Sequence, residues 1–295
     1  MIQKILIVYN PKAGKKYPAN YQAVFLRQLK KYVPDANCQW HETLPDFPRE
    51  LEKIDFTDFC KIIVIGGDGT IKKTAEFILK NNLTIPLAII PQGSANVLAN
   101  SLNIPLRQSA SIKLAALGHE KTIDVGLLNN EHYFLVGLSI GLLSKVVLTT
   151  RAKAKNRWGI LAYLFTLLKS KTNEHDVFDF WCDGQKFHLV GNTLLITNTF
   201  SLLKIKPRNF SDYTDGWLEV MVTKNSSVWS FFMIAFFSWL NKKFIPYLFW
   251  HKAKQIKIEA SCLAGKIIQL DGEEVRVNKI EAEILPQRLK VIISK

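Results

Sequence analysis

Cysteine is scarce in this 295-residue chain: four residues, at 38, 60, 182 and 262, stand far apart, with no CxxC pair and no Cys/His cluster. That spacing argues against a disulfide framework or a zinc site and suits a reducing cytoplasm. No apolar run approaches the roughly 20 residues that a membrane-spanning helix needs. The only membrane-like stretch, Val228 to Leu240, stops at Asn241-Lys242-Lys243 and reads as a buried or interfacial helix. The segment from Met1 to Tyr9 reads as a short buried strand and lacks a signal-peptide cleavage region. Neither GxxxxGK[ST] nor GxGxxG occurs, so P-loop and dinucleotide-fold readings fail. No RNP-type aromatic motif or zinc finger supports nucleic-acid binding. Internal repeats and low-complexity segments are absent too.

Acidic residues are the other shortage. Against 39 Lys/Arg there are 25 Asp/Glu, a formal charge of +14. His132 to Asn173 lacks acids and holds Lys145, Arg151, Lys153, Lys155, Arg157, Lys169 and Lys171. Val220 to Ile258 lacks them as well and holds Lys224, Lys242, Lys243, Lys252, Lys254 and Lys257. Such fields attract anionic partners: nucleic acid, acidic lipid headgroups or nucleotide phosphates. The plain alternative is the solvated faces of a basic protein.

What is present is enough apolar residue, 48% against 22% charged, to bury a sizeable core. The length suits two domains or one large one. In the first part strands expected at Ile5–Tyr9, Lys61–Ile65 and Leu87–Ile90 alternate with helices expected at Tyr17–Tyr32, Thr70–Asn81, Ala95–Leu102 and Ser109–Leu117. That alternation indicates parallel βαβ units and a layered α/β domain. After about Asp124 short strands follow, at Tyr133–Gly137, Val177–Trp181, Lys186–Val190, Thr193–Thr197, Trp217–Val222, Gln255–Glu259, Lys266–Leu270, Glu274–Val277 and Leu289–Ile293. Asp183-Gly184 and Asp215-Gly216 are among the turn signals between them. This is the pattern of an antiparallel β-sandwich, interrupted by helical insertions around 156–170 and 228–241. The expected division is an α/β domain over 1–125 and a β-sandwich over 126–295, with the last strand available to pack back on the first domain.

Three first-domain strands end in a small-residue turn that feeds a helix: Asn10-Pro-Lys-Ala-Gly14, Gly66-Gly-Asp-Gly-Thr70 and Pro91-Gln-Gly-Ser-Ala-Asn96. Glycine lets backbone N–H groups approach a ligand closely, and a helix N-terminus is a ready anion site. One such turn is ordinary βα steric preference. Three of them, at the carboxyl ends of parallel strands where such sheets bind ligands, point to a phosphate-bearing ligand.

These residues resemble the diacylglycerol kinase/sphingosine kinase catalytic-domain family, most of all its bacterial lipid-kinase branch. GGDGT is that family's nucleotide loop, shared only with related kinases of NAD and phosphofructokinase type. The resemblance extends along nearly the whole chain, through Asp124-Val-Gly126, Gly159 with Tyr163, Lys204 and Pro207, Asp215-Gly216 and Leu270-Asp-Gly-Glu273. It implies an α/β nucleotide-binding domain followed by a β-sandwich, with ATP and substrate meeting in the cleft. By resemblance Asn10, Thr43, Gly66, Gly67, Asp68, Gly69, Thr70, Gly93 and Ser94 contact ATP. Asp215 belongs to a structural Mg²⁺ or water–metal site, with backbone help from Asp212 and Trp217. Glu273 is the general base, with Asp68 its competitor for that role. The implied activity is ATP-dependent phosphorylation of a lipid hydroxyl, such as that of diacylglycerol or a sphingoid base. It would take place in the cytoplasm, peripherally at an anionic membrane surface; a homodimer is left open.

The pattern departs at Lys72-Lys73, where the family usually has Asn-Glu, and the two readings there are a solvated helix face and a phosphate contact. Ala13 stands where serine is common, and Ser94 where threonine is usual. A kinase of NAD type also carries GGDGT, but it shows a paired Asn-Glu/Asp motif and lacks the Asn-Pro-x-x-Gly opening. A non-catalytic lipid-binding module is the reading from another class, and the presence of both Asp68 and Glu273 counts against it.

Overall fold

The structure, a computed structural model, describes residues 3–14, 18–45, 47–141, 144, 176–198, 213–224, 248–263 and 265–294. The chain divides into two compact units, Met1–Ile123 with Gln287–Lys295, and Asp124–Pro286.

The first unit is built on β1 (Lys4–Tyr9), α1 (Tyr21–Leu29), β2 (Asn37–Glu42), β3 (Phe59–Gly66), α2 (Asp68–Lys80), β4 (Leu87–Pro91), α3 (Val97–Ser101) and α4 (Gln108–Leu117). Four strands lie parallel in the order β2-β1-β3-β4. The inner ones read as unbroken apolar runs because both faces are covered. Along β1 the residues Ile5, Leu6, Ile7 and Val8 are wholly buried. On one face Ile5, Ile7, Tyr9, Ile63, Ile65, Ala88 and Ile90 meet Tyr21, Phe25 and Leu29 of α1 and Ile112, Ala115 and Ala116 of α4. Ile71, Thr74, Ala75 and Ile78 of α2 recur at helical spacing and are buried, and α2 packs on β3 and β4.

The next strand, β5 (His119–Leu128), carries the chain into the second unit. There follow β6 (His132–Phe134), β7 (Gly137–Gly141), β8 (Asp176–Cys182), β9 (Gln185–Gly191), β10 (Thr193–Thr197), β11 (Leu218–Thr223), β12 (Leu248–Ala253), β13 (Gln255–Ile258), β14 (Ile268–Leu270), β15 (Glu273–Val275) and β16 (Ile280–Ile293). One antiparallel sheet runs β12-β11-β10-β7-β14-β15. The other pairs β9 with β8, β8 with β13, and β13 with the first part of β16, all antiparallel. Phe178, Phe180, Cys182, Ile256, Ile258 and Ala282 from the second sheet face Leu138, Ile140, Leu194, Ile196, Val220 and Ile268 from the first. Alternation of inward apolar residues along each strand makes this a sandwich. The last part of β16 returns to the first unit, where Val291 pairs in parallel with Leu87.

The fold class is the α/β-plus-sandwich combination that the sequence indicates, with local differences. The helix expected over Tyr17–Tyr32 occupies only Tyr21–Leu29. The one expected over Ala95–Leu102 begins at Val97, because Asn96 takes the left-handed conformation (φ 47°). Four strands are not expected from the sequence, β2, β5, β7 beyond its first residue, and β12, and β16 begins at Ile280 where only Leu289–Ile293 is expected. The expected strand Tyr133–Gly137 is interrupted at Leu135 and Val136, so that β6 ends at Phe134 and β7 begins at Gly137. The helical insertions expected around 156–170 and 228–241 lie outside the described residues. Among the described residues no helix is long and apolar enough to cross a membrane.

Burial in the sandwich pushes the Cys182 thiol up to about 12, with the neighbouring Asp183 carboxylate adding to the shift. Its thiolate, the reactive form, is therefore scarce at neutral pH. Alkylation of the folded protein at pH 8, read by peptide mass, should modify exposed Cys60 and spare Cys182 until denaturant is added. Labelling of both at equal rates in the folded protein would contradict the packing described for Cys182.

Candidate functional site

The turns that leave β1, β2, β3 and β4 form one cluster, since these are neighbouring strands and every turn follows a carboxyl end. Backbone bonds carry the sheet's alignment into them. Thr43 N–H donates to the Tyr9 carbonyl (2.8 Å), Asn10 N–H to Ile65 (2.9 Å) and Gln92 N–H to Gly66 (2.8 Å). Asn10, Thr43, Gly66, Gly67, Asp68, Gly69, Thr70, Gly93 and Ser94 all belong to this cluster.

Side chains then tie turn to turn. The Asn10 amide donates to Thr70 Oγ1 (2.8 Å), and its Oδ1 accepts the Lys12 N–H (2.9 Å). That fixes the first turn to the start of α2. Asn96 grips Gly93 from both sides, Oδ1 accepting the Gly93 N–H (2.7 Å) and Nδ2 donating to its carbonyl (2.8 Å). The glycines are needed because the backbones nearly touch. A Cβ on Gly93 would lie 2.9 Å from Gly67 Cα, and one on Gly14 (φ +71°) 2.0 Å from the Gln92 carbonyl oxygen. Beneath the turns, Tyr21 OH accepts from Gln92 Nε2 (2.7 Å) and Gln108 Nε2 (3.0 Å).

Asp68 opens α2, a helix of thirteen residues whose N-cap is Gly67. The leading N–H groups of such a helix point out of its end, where an anion can be bound. The Asp68 side chain is half-buried, and its Oδ1 accepts the Leu98 N–H over a long 3.4 Å. Lys73 is exposed, as a solvated face requires, but Lys72 is buried to 8% exposure. The solvated-face reading therefore holds for Lys73 and is corrected for Lys72, which lies four residues after Asp68 on the same face of the helix.

Sequence reasoning missed the supports of this cluster. His41 Nε2 and Glu50 Oε2 pair at 3.0 Å, and the same carboxylate oxygen accepts the Leu44 N–H at 3.4 Å, so it clasps the segment that bears Thr43. Neither residue belongs to a recognisable motif. Gln92, Gln108 and Tyr21 likewise meet over long chain separations that no local pattern announces.

The remaining expected site residues belong to the second unit, except that Asp212 lies outside the described residues. Glu273 is half-buried at the start of β15, directly after an Asp-Gly turn in which Asp271 (φ 49°) and Gly272 (φ 89°) are both left-handed. That turn is the two-residue hairpin link between Leu270 and Glu273. The Asp271 carboxylate accepts three N–H groups, from Leu135 (2.8 Å), Val136 (2.9 Å) and Gly137 (2.9 Å). The sequence marks Asp271 only as part of the Leu270-Asp-Gly-Glu273 tetrad, and its anchoring role comes from contacts more than 130 residues away in the chain. Asp215 Oδ1 accepts the Trp217 N–H (3.2 Å), and its Oδ2 receives the Lys252 ammonium at 2.8 Å. Buried Asp124 accepts the Gly216 N–H at 2.7 Å. Among the described residues no cluster of three His, Cys, Asp or Glu side chains is arranged for a metal ion.

A parallel sheet with a cluster of glycine turns at its carboxyl edge has the ligand-site layout of open α/β domains. Residues 4–128 match the diacylglycerol kinase catalytic domain family. A Streptococcus pneumoniae protein named as a lipid kinase is 25% identical over 98% of each chain. A diacylglycerol kinase of Staphylococcus aureus is 26% identical over 92% of this chain and 87% of its own. A Bacillus anthracis structure named for a diacylglycerol kinase superposes with a TM-score of 0.80 at 24% identity, covering 99% of this chain and 97% of the other, and so shares the fold. Residues 4–128 thus carry the diacylglycerol kinase catalytic domain, and the chain is similar over nearly its whole length to proteins named as lipid kinases.

The turn cluster yields a stability prediction. Gly14→Ala combines positive φ with a steric conflict against Gln92 and should cost about 2–4 kcal/mol. Gly184→Ala, where nothing lies within 4 Å of the new Cβ, should cost only the left-handed strain, about 1–2 kcal/mol. Urea unfolding of the two variants compares them, and equal losses would mean that the close approach at Gly14 carries no weight.

Proposed function

We propose that this protein transfers the γ-phosphoryl group of ATP to the hydroxyl of a lipid such as diacylglycerol or a sphingoid base. The observation that supports this most is the tying of three glycine turns to one another at the leading end of α2, which presents backbone amides to a polyphosphate. Phosphoryl transfer needs alignment and charge neutralisation more than covalent help from the protein. Asn10, Thr43, Gly66, Gly67, Gly69, Thr70, Gly93 and Ser94 would bind the nucleotide, and Asp68 is the residue suited to hold the magnesium that accompanies it. That ion supplies neutralisation of phosphate charge. Glu273 takes the proton of the lipid hydroxyl, a role in which Asp68 is the competitor.

The protein would work in the cytoplasm at an anionic bilayer surface, docked by the aromatic and basic stretch 228–250 with Lys252, Lys254 and Lys257 following it. The core reading for Phe231, Phe232, Phe236 and Phe237 is the other outcome. Of this stretch the described residues include Trp250, whose side chain is exposed.

Radiolabelled ATP supplied with a lipid panel, and separately with NAD, tests the activity. Label in a lipid is expected, whereas label in NAD, or ATP binding with no transfer, would overturn the reading. Asp68→Asn should keep the fold and lose far more than tenfold in turnover, where tenfold is roughly 1.4 kcal/mol of barrier. Glu273→Gln should lower kcat by about 10²–10⁴ while ATP affinity is retained. If ATP affinity falls instead, Glu273 is a binding residue, and if kcat is unchanged the tetrad is a plain turn. Vesicle sedimentation should show binding that rises with anionic lipid and falls with salt; indifference to both would assign the stretch to the core.

A further inference from the structure

The family resemblance implies a structural magnesium or water–metal site at Asp215, with backbone help from Asp212, which lies outside the described residues, and Trp217; the contacts of the Asp215 carboxylate do not suit a magnesium bound to it. Lys252 Nζ lies 2.8 Å from Asp215 Oδ2, a charge-assisted hydrogen bond of ordinary length. The other oxygen, Oδ1, accepts the N–H of Trp217. Side-chain exposures of 31% for Lys252 and 27% for Asp215 leave the pair partly shielded from solvent. A magnesium ion coordinates oxygen at about 2 Å in a demanding octahedral arrangement. Bound to this carboxylate it would sit within van der Waals reach of an ammonium, two like charges competing for the same oxygens.

The lysine is presented by regular structure. It lies on β12, paired with Glu219 of β11. Two residues on, Lys254 places its ammonium 5.0 Å from the centre of the Trp217 ring, and its own N–H is accepted by Asp183 at 3.0 Å. The turn that bears Asp215 is held separately by the bond from Gly216 N–H to buried Asp124. Both partners are thus fixed by neighbours before they meet, which lowers the entropy cost that makes loose ion pairs weak.

We propose that Lys252 is the built-in cation of this site: its ammonium occupies the place of a divalent ion at Asp215, so the sandwich unit folds and stays folded without magnesium. The inference concerns the second unit alone and does not rest on the proposed kinase activity.

Thermal unfolding without nucleotide tests it, on the full chain in EDTA and in millimolar magnesium chloride. Wild-type Tm should be the same in both to within about 1 °C, and Lys252→Met should lower it by about 2–4 °C. In an Asp215→Asn background the same Lys252→Met change should have little further effect, because the pair is already broken. A wild-type Tm that rises by several degrees with magnesium would overturn the proposal. So would an equal loss from Lys252→Met with and without Asp215, which would assign the lysine to packing. Should Lys252→Met fail to fold, the wild-type comparison decides alone. None of these readings changes if the phosphotransfer assay fails.

Discussion

The near-contact of two turn backbones governs the first unit. β3 and β4 are adjacent, parallel and in a register that sets Gly66 beside Pro91, so the turns that follow them emerge side by side with no room for a side chain between. Gly67 and Gly93 meet there: a Cβ on Gly67 would lie 3.2 Å from Gly93 Cα, and one on Gly93 2.9 Å from Gly67 Cα. Once they meet, the rest is constrained. Asn96 must enter the left-handed region to hold Gly93 at both its N–H and its carbonyl. Thr70 must press on Gly66, where an added Cβ would lie 2.7 Å from its own. With Thr70 so placed, its hydroxyl accepts from Asn10. The polar side chains of this cluster chiefly hold backbone in place.

The sandwich uses aspartate in a comparable way. Both Asp-Gly hairpin links place two consecutive residues at positive φ, as the two-residue turn requires. In each, the aspartate side chain then leaves its own hairpin for another segment. Asp183 accepts from Lys254 and Gln255, and Asp271 from Leu135, Val136 and Gly137. A carboxylate that accepts several backbone N–H groups removes the cost of leaving those donors unpaired where strands end. Position 271 gains a second consequence, because anchoring that turn also fixes where Glu273 begins its strand.

The elements legible in the sequence were those whose residues alone decide their state. Ile5–Tyr9 and Leu87–Ile90 are apolar throughout because both faces are covered, and Thr193–Thr197 lies between clear turn signals. β2, Asn-Cys-Gln-Trp-His-Glu, gave no such signal: it is an edge strand with no fully buried residue, and pairing with β1 rather than its own composition makes it a strand. β12, Leu-Phe-Trp-His-Lys-Ala, is likewise an edge strand, with Ala253 its one buried residue, and β5 opens on the polar run His-Glu-Lys-Thr. In the site, the glycine turns were visible because each follows its strand directly in the chain. The bonds that join them were not, since Asn10 and Thr70 are sixty residues apart and Gln92 and Tyr21 seventy-one. At Lys72 the sequence leaves a solvated face and a phosphate contact both open, and the burial of this residue depends on neighbours that local pattern does not contain.

Charge is handled in opposite ways by the two units. At the turn cluster of the first, glycines and the neutral side chains Asn10 and Thr70 lie at the leading end of a helix, whose dipole places partial positive charge there. A buried lysine in the second turn of that helix would ordinarily be disfavoured by the same dipole and by desolvation. Its spacing of four from Asp68 sets an acid on its own face, and an anionic ligand at the helix end would add to that compensation. In the second unit the carboxylates of Asp124, Asp183, Asp215 and Asp271 are each satisfied by donors from the protein itself. A chain with 25 acids against 39 bases thus uses these four to hold turns.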